Sequence, residues 1–107
     1  MEIITSRQNP QIMRAVRLQD RKHRQREQLF SFDGIKLCKE ALMSGVEIDR
    51  IFLRASTAER VIQRMEAELP TVDFSSHFAL VMLEDAVFEK ISAENFLHKV
   101  GTVCDLA

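Results

Sequence analysis

Tryptophan and tyrosine are absent from these 107 residues, and the only aromatic side chains are seven phenylalanines that fall in apolar, core-like segments. A nucleic-acid surface built on stacked exposed rings is therefore disfavoured, and contact with a phosphate backbone is the more natural binding mode. Glycine occurs three times, at isolated positions 34, 45 and 101, so the clustered glycines of a nucleotide-phosphate loop are missing. Cysteine occurs twice, as Cys38 and Cys104, with no Cys or His at metal-ligand spacing. Both read as buried thiols; a disulfide between them is the alternative for a secreted protein. No signal peptide precedes the first structured segment and no apolar run reaches membrane-spanning length, which favours a reducing cytoplasm. Repeats, low-complexity tracts and Gly/Ser linkers are also lacking, so the chain reads as one domain, residues 1–107.

Catalytic groups are equally sparse. His23, His77 and His98 are scattered without a carboxylate or cysteine pattern around them. Asp33 could be a carboxylate at a strand end, but before Gly34 it is more simply a turn residue, and Glu84-Asp85 is more simply a helix start. No catalytic, cofactor-binding or metal-ligating set is complete within the chain.

Charge is present in both signs and nearly balanced, with a net charge of −1. Its distribution is uneven. Arg7, Arg14, Arg17, Arg21, Lys22, Arg24 and Arg26 face a single acid, Asp20, between positions 7 and 26. From Ala55 onward four bases meet nine acids. The molecule is electrically polarised, and a polyanion would meet its N-terminal part. The plain alternative is that these bases only keep an exposed helix face solvated.

Strand and helix signals alternate. Asn9 before Pro10 marks a helix start, and Ile12, Met13 and Val16 follow at helical spacing with Arg14, Arg17 and Arg21 on or beside the polar face. Asp20 to Gln28 lacks any apolar residue, which predicts a solvated helix end or a short exposed helix. Leu29 to Phe32 reads as a strand turning at Asp33-Gly34 into a helix that stops at Ser44-Gly45, and Val46 to Leu53 as the next strand. Ser56 and Glu59 stand at capping-box spacing before a helix ending at Pro70. A short strand over Thr71 to Phe74, a stronger one over Ala79 to Leu83, a helix capped by Asp85 and a final strand within Lys99 to Leu106 complete the series. Such alternation predicts an α/β fold, a three-layer α/β/α sandwich around a mostly parallel central sheet.

Several stretches together resemble a known family: Ser6-Arg7-Gln8-Asn9-Pro10, Arg14, the basic stretch from Leu18 to Arg24, Phe30 to Leu37, and Glu40-Ala41-Leu42. They are similar to the N-terminal substrate-binding domain of SpoU-type RNA 2′-O-ribose methyltransferases of the SPOUT class. The similarity covers nearly the whole chain and is strongest from Ile4 to Leu53. It implies a ribosomal-protein-like fold that grips structured, mostly ribosomal, RNA. In that family a second, knotted domain binds S-adenosylmethionine, carries a catalytic arginine and dimerises; its motifs are absent here. Arg7, Asn9 and Arg14 match the family's opening pattern, and Lys22 and Arg24 its basic turn. Asp33 stands where the family usually has Glu before Gly34. The family closes the domain with Pro-Gln-Gly, of which only Gly101 corresponds, a departure at the join to the second domain. A domain ending on a predicted strand is an odd natural terminus, so a truncated chain or gene fragment is expected, with a freestanding protein as the alternative.

The resulting expectation is an RNA-binding set of Arg7, Asn9, Arg14, Arg17, Arg21, Lys22, Arg24 and Arg26, with no catalytic or metal residue and no membrane partner. S-adenosylmethionine and dimerisation would belong to the absent domain. A protein-interaction module docking a partner through the acidic C-terminal half or an apolar patch is the rival, and an enzyme complete within this chain a distant third.

Overall fold

A computed structural model of the chain describes residues 2–18, 20–45, 47–72, 79–91 and 102–106; for 30–33 and 102–106 the backbone alone is described. The order of elements is β1 (Ile3–Ile4), α1 (Pro10–Arg17), α2 (Arg21–Glu27), β2 (Phe30–Asp33), α3 (Ile35–Met43), β3 (Ile48–Arg54), α4 (Ala58–Glu68), β4 (Ala79–Leu83), α5 (Asp85–Ile91) and β5 (Thr102–Leu106). The five strands form one sheet in the order β1-β4-β3-β5-β2. β1, β4 and β3 are parallel neighbours, while β5 lies antiparallel to both β3 and β2. Four of the five strands thus run the same way. The strands flanking α3, β2 and β3, are not adjacent as their succession suggests, because β5 is inserted between them.

Period-two alternation along β3 and β4 divides the core into two layers. Ile51 and Leu53 pack with Cys38 and Ala41 of α3 and with Ala58, Val61 and Met65 of α4, and Leu80 and Met82 join them from β4. On the opposite face Phe52 and Leu83 pack with Ile12 and Ala15 of α1 and with Val87, Phe88 and Ile91 of α5. Helices therefore cover both faces, giving the three-layer α/β/α sandwich. Cys38 is fully buried. Cys104 lies on β5, whose side chains are not described.

Two helix starts differ from their sequence signals. α4 begins at Ala58 with Thr57 in the capping position, and the Ser56–Glu59 capping box does not form. The Ser56 N–H instead donates to Asp85 Oδ1 at 3.3 Å, which ties the β3–α4 turn to α5. Asp85 is the first residue of α5 rather than its cap, and the Glu84 carbonyl accepts from the Val87 and Phe88 N–H groups at 2.9 Å. Gly34, with φ of 112°, lets the chain turn from β2 into α3 where an L side chain would be strained. The strand expected over Thr71 to Phe74 lies partly outside the described residues, and Gly101 lies wholly outside them. Among the described residues no helix is long and apolar enough to cross a membrane.

Candidate nucleic-acid interface

Asn9 and Pro10 form the start of α1 as their types dictate: Asn9 Oδ1 accepts from the Gln11 N–H at 2.9 Å, and Pro10 occupies the first helical position. Asn9 is accordingly a structural cap within the predicted set. Its replacement by alanine is expected to cost about 1 kcal/mol of stability, measured by urea denaturation, because one helix N–H loses its partner.

α1 ends at Leu18, which is 1% exposed, and Asp20 caps α2 by accepting from the Lys22 N–H at 3.1 Å. α2 contains no buried residue. What holds it is at its ends and on one edge: Leu18 and Leu29 are buried, Arg24 Nη1 donates to the Leu18 carbonyl at 2.9 Å, and Glu27 accepts from Arg14 Nε at 2.9 Å. Arg14 Nη1 also reaches Asp49 Oδ2 at 3.3 Å. One guanidinium on α1 thus braces α2 against the start of β3.

The predicted residues separate into groups. Arg17, Arg21, Lys22 and Arg26 are exposed on α1 and α2. Arg14 and Arg24 are partly buried and engaged within the fold. Arg7 sits apart, beyond the other end of α1, which at eight residues is about 12 Å long. There it lines a second cleft, of about 400 Å³, with Ala86, Glu89 and Lys90 of α5, and its carbonyl accepts from Lys90 Nζ at 3.3 Å.

Burial works against ionisation of Asp49, but hydrogen bonds and charge from Arg50, at 2.8 Å, and from Arg14 outweigh it and hold the carboxyl below its ordinary value. A carboxylate with a lowered folded pKa stabilises above its unfolded pKa, and that contribution is lost as pH falls through the folded value. The stability difference between the parent and Asp49→Asn is therefore expected to be constant near neutrality, below about 1 kcal/mol for so exposed a pair, and to vanish as acid denaturation proceeds below 3.8. Chemical denaturation across an acid pH series checks this.

Beside the exposed bases is a shallow cleft of about 350 Å³ lined by Arg21, Arg24, Gln25, Gln28 and Leu29. Gln25 and Gln28 were not among the residues singled out by charge. The available signal was spacing, since positions 21, 25 and 28 repeat along one face of α2. No group of three or more His, Cys, Asp or Glu suited to a metal ion occurs among the described residues. His23 is partly buried on α2, and His77 and His98 lie outside the described residues.

Among curated protein sequences none matches this chain. Solved structures do. One described as an RNA 2′-O ribose methyltransferase superposes with a TM-score of 0.75 at 26% identity, covering 98% of this chain and 37% of that one. An rRNA methyltransferase from Sinorhizobium meliloti gives 0.69 at 22% identity over 98% of this chain and 36% of its own, and an AdoMet-bound form of an rRNA methyltransferase from the same organism gives 0.68 at 22%. The latter two establish shared fold. The chain spans a little over a third of the length of these structures. A family profile, the MRM3-like substrate binding domain, matches residues 9–96, and this chain belongs to that family.

Proposed function

We propose that residues 1–107 act as one domain that holds RNA for a ribose 2′-O-methyltransferase, with Arg17, Arg21, Lys22 and Arg26 contacting phosphates. The observation that carries this reading is the presentation of four exposed cations, one on α1 and three on α2, a helix with no fully buried residue. Family membership supports the RNA-holding role, and the 26% identical neighbour described as an RNA 2′-O ribose methyltransferase supports the reaction it serves. In this reading Asn9, Arg14 and Arg24 set the direction and footing of the two helices, and Arg7 adds a separate cation beyond the far end of α1. Phosphate contacts of this kind fix register and orientation, so the RNA is recognised by shape more than by sequence. Structured ribosomal RNA in the cytoplasm is the proposed partner.

Methyl transfer itself is placed outside these residues. S-adenosylmethionine would supply the methyl group there, a reading supported by the AdoMet-bound neighbour, of whose length this chain covers 36%. Dimerisation is likewise assigned to the catalytic part. Titration of the chain with structured ribosomal RNA and with a length-matched DNA duplex at two salt concentrations, read by fluorescence anisotropy, tests the reading. Salt-sensitive binding that prefers RNA is expected. Absence of binding at low salt would overturn it.

A further inference from the structure

We propose that the cleft lined by Arg21, Arg24, Gln25, Gln28 and Leu29 receives one unstacked base of the bound RNA, an inference that rests on the RNA-binding reading above. Phosphate contacts need only cations, yet this cleft contains more than cations. Two amide side chains, each able to donate and accept, line it beside the guanidinium groups of Arg21 and Arg24, and the buried Leu29 adds apolar surface. A base pulled from its stack asks for that combination: a flat or apolar surface against its face and amide groups along its hydrogen-bonding edge. In a chain without tryptophan or tyrosine, the planar Arg21 guanidinium is the stacking surface available there.

The backbone supplies an independent observation. Gln28 closes α2 in the left-handed conformation, with φ of 56° and ψ of 39°, and it is the only non-glycine residue with positive φ among those described. The Leu29 N–H donates to the Arg24 carbonyl at 3.2 Å, a helix ending in which glycine is the usual residue at this position. A long amide side chain stands where glycine would fit with less strain, and that side chain lines the cleft. Arg26 and Lys22 lie one and three residues from Gln25 along the same helix, so phosphates held by them would bring flanking nucleotides to the cleft mouth.

The test compares an unstructured single-stranded RNA with a blunt RNA duplex of equal length, titrated by anisotropy against the parent chain, Gln25→Ala and Gln28→Gly. Each variant is expected to lose about five- to tenfold in affinity for the single strand, the size of one or two amide hydrogen bonds. Duplex affinity and the salt slope should stay at parent values, because neither residue is charged. Gln28→Gly should unfold at a temperature no lower than the parent, which separates lost contact from lost structure. Salt-sensitive parent binding with single-strand affinity unchanged in both variants, or lost equally for both RNAs, overturns the base cleft alone. A parent chain that binds neither RNA at low salt overturns the phosphate reading and this inference with it.

Discussion

Replacing Arg17, Arg21, Lys22 and Arg26 together by alanine is expected to lower RNA affinity on the order of a hundredfold near physiological salt and to reduce the slope of log K against log salt by about three. Each cation that neutralises a phosphate releases counterions worth about 0.7 to 0.9 in that slope, and the four side chains are exposed on consecutive helices. Stability should change little, because exposed substitutions away from buried partners usually stay within about 0.5 kcal/mol. Arg60→Ala, an equally exposed change on α4 in the acidic half of the chain, should leave both affinity and slope unchanged. Arg14→Ala should behave differently again: its bonds to Glu27 and Asp49 brace α2, so its loss weakens binding through the mounting of the helix as well as through charge. Anisotropy titrations at about 50 and 200 mM salt, with parallel thermal melts, distinguish the three behaviours.

Phe88→Ala is expected to have the largest effect on folding. Phe88 is fully buried where α5 meets Ile12, Ala15, Phe52 and Leu83, so the layer that carries α1, and through it α2, is built around this ring. Truncation removes the apolar contacts and leaves a cavity, at a cost of about 3–5 kcal/mol. The Arg54 guanidinium, 4.8 Å from the ring centroid, loses a further stacking contact worth about 0.5–1 kcal/mol. Against a total of about 5–15 kcal/mol for a typical domain, this leaves a marginal fold with an unfolding temperature lower by about 15–30 °C. Circular dichroism melts check it, with Met43→Ala as the contrast: Met43 is 74% exposed, and its loss should shift the transition by no more than a few degrees.

The parts of this architecture legible in the sequence are those that local chemistry decides. Asn9-Pro10 announces α1, and the run from Asp20 to Gln28, empty of apolar residues, announces a helix with no fully buried residue. Asp33-Gly34 marks the turn into α3 because a positive φ is needed there. Features decided by tertiary contact were not legible. The insertion of β5 between β3 and β2 depends on which strand edges meet, and no local signal encodes that. Ser56 carries a plausible capping pattern, yet Asp85, 29 residues on, takes its N–H, and α4 starts later. The same limit applies to the candidate interface. Charge counting finds Arg14 and Arg24 alongside Arg17 and Arg26, but their engagement with Glu27, Asp49 and the Leu18 carbonyl appears only when the chain is folded. Gln25 and Gln28 escaped notice because they are uncharged, and only the cleft gives them a common place.

Titrating structured ribosomal RNA into the isotopically labelled chain and following backbone amide resonances tests whether α1 and α2 present the RNA-contacting surface. The largest shifts are expected at Arg17 and Arg21–Gln28, with α4 nearly silent. Shifts concentrated on α4 and the acidic half, with α2 unmoved, would contradict that assignment.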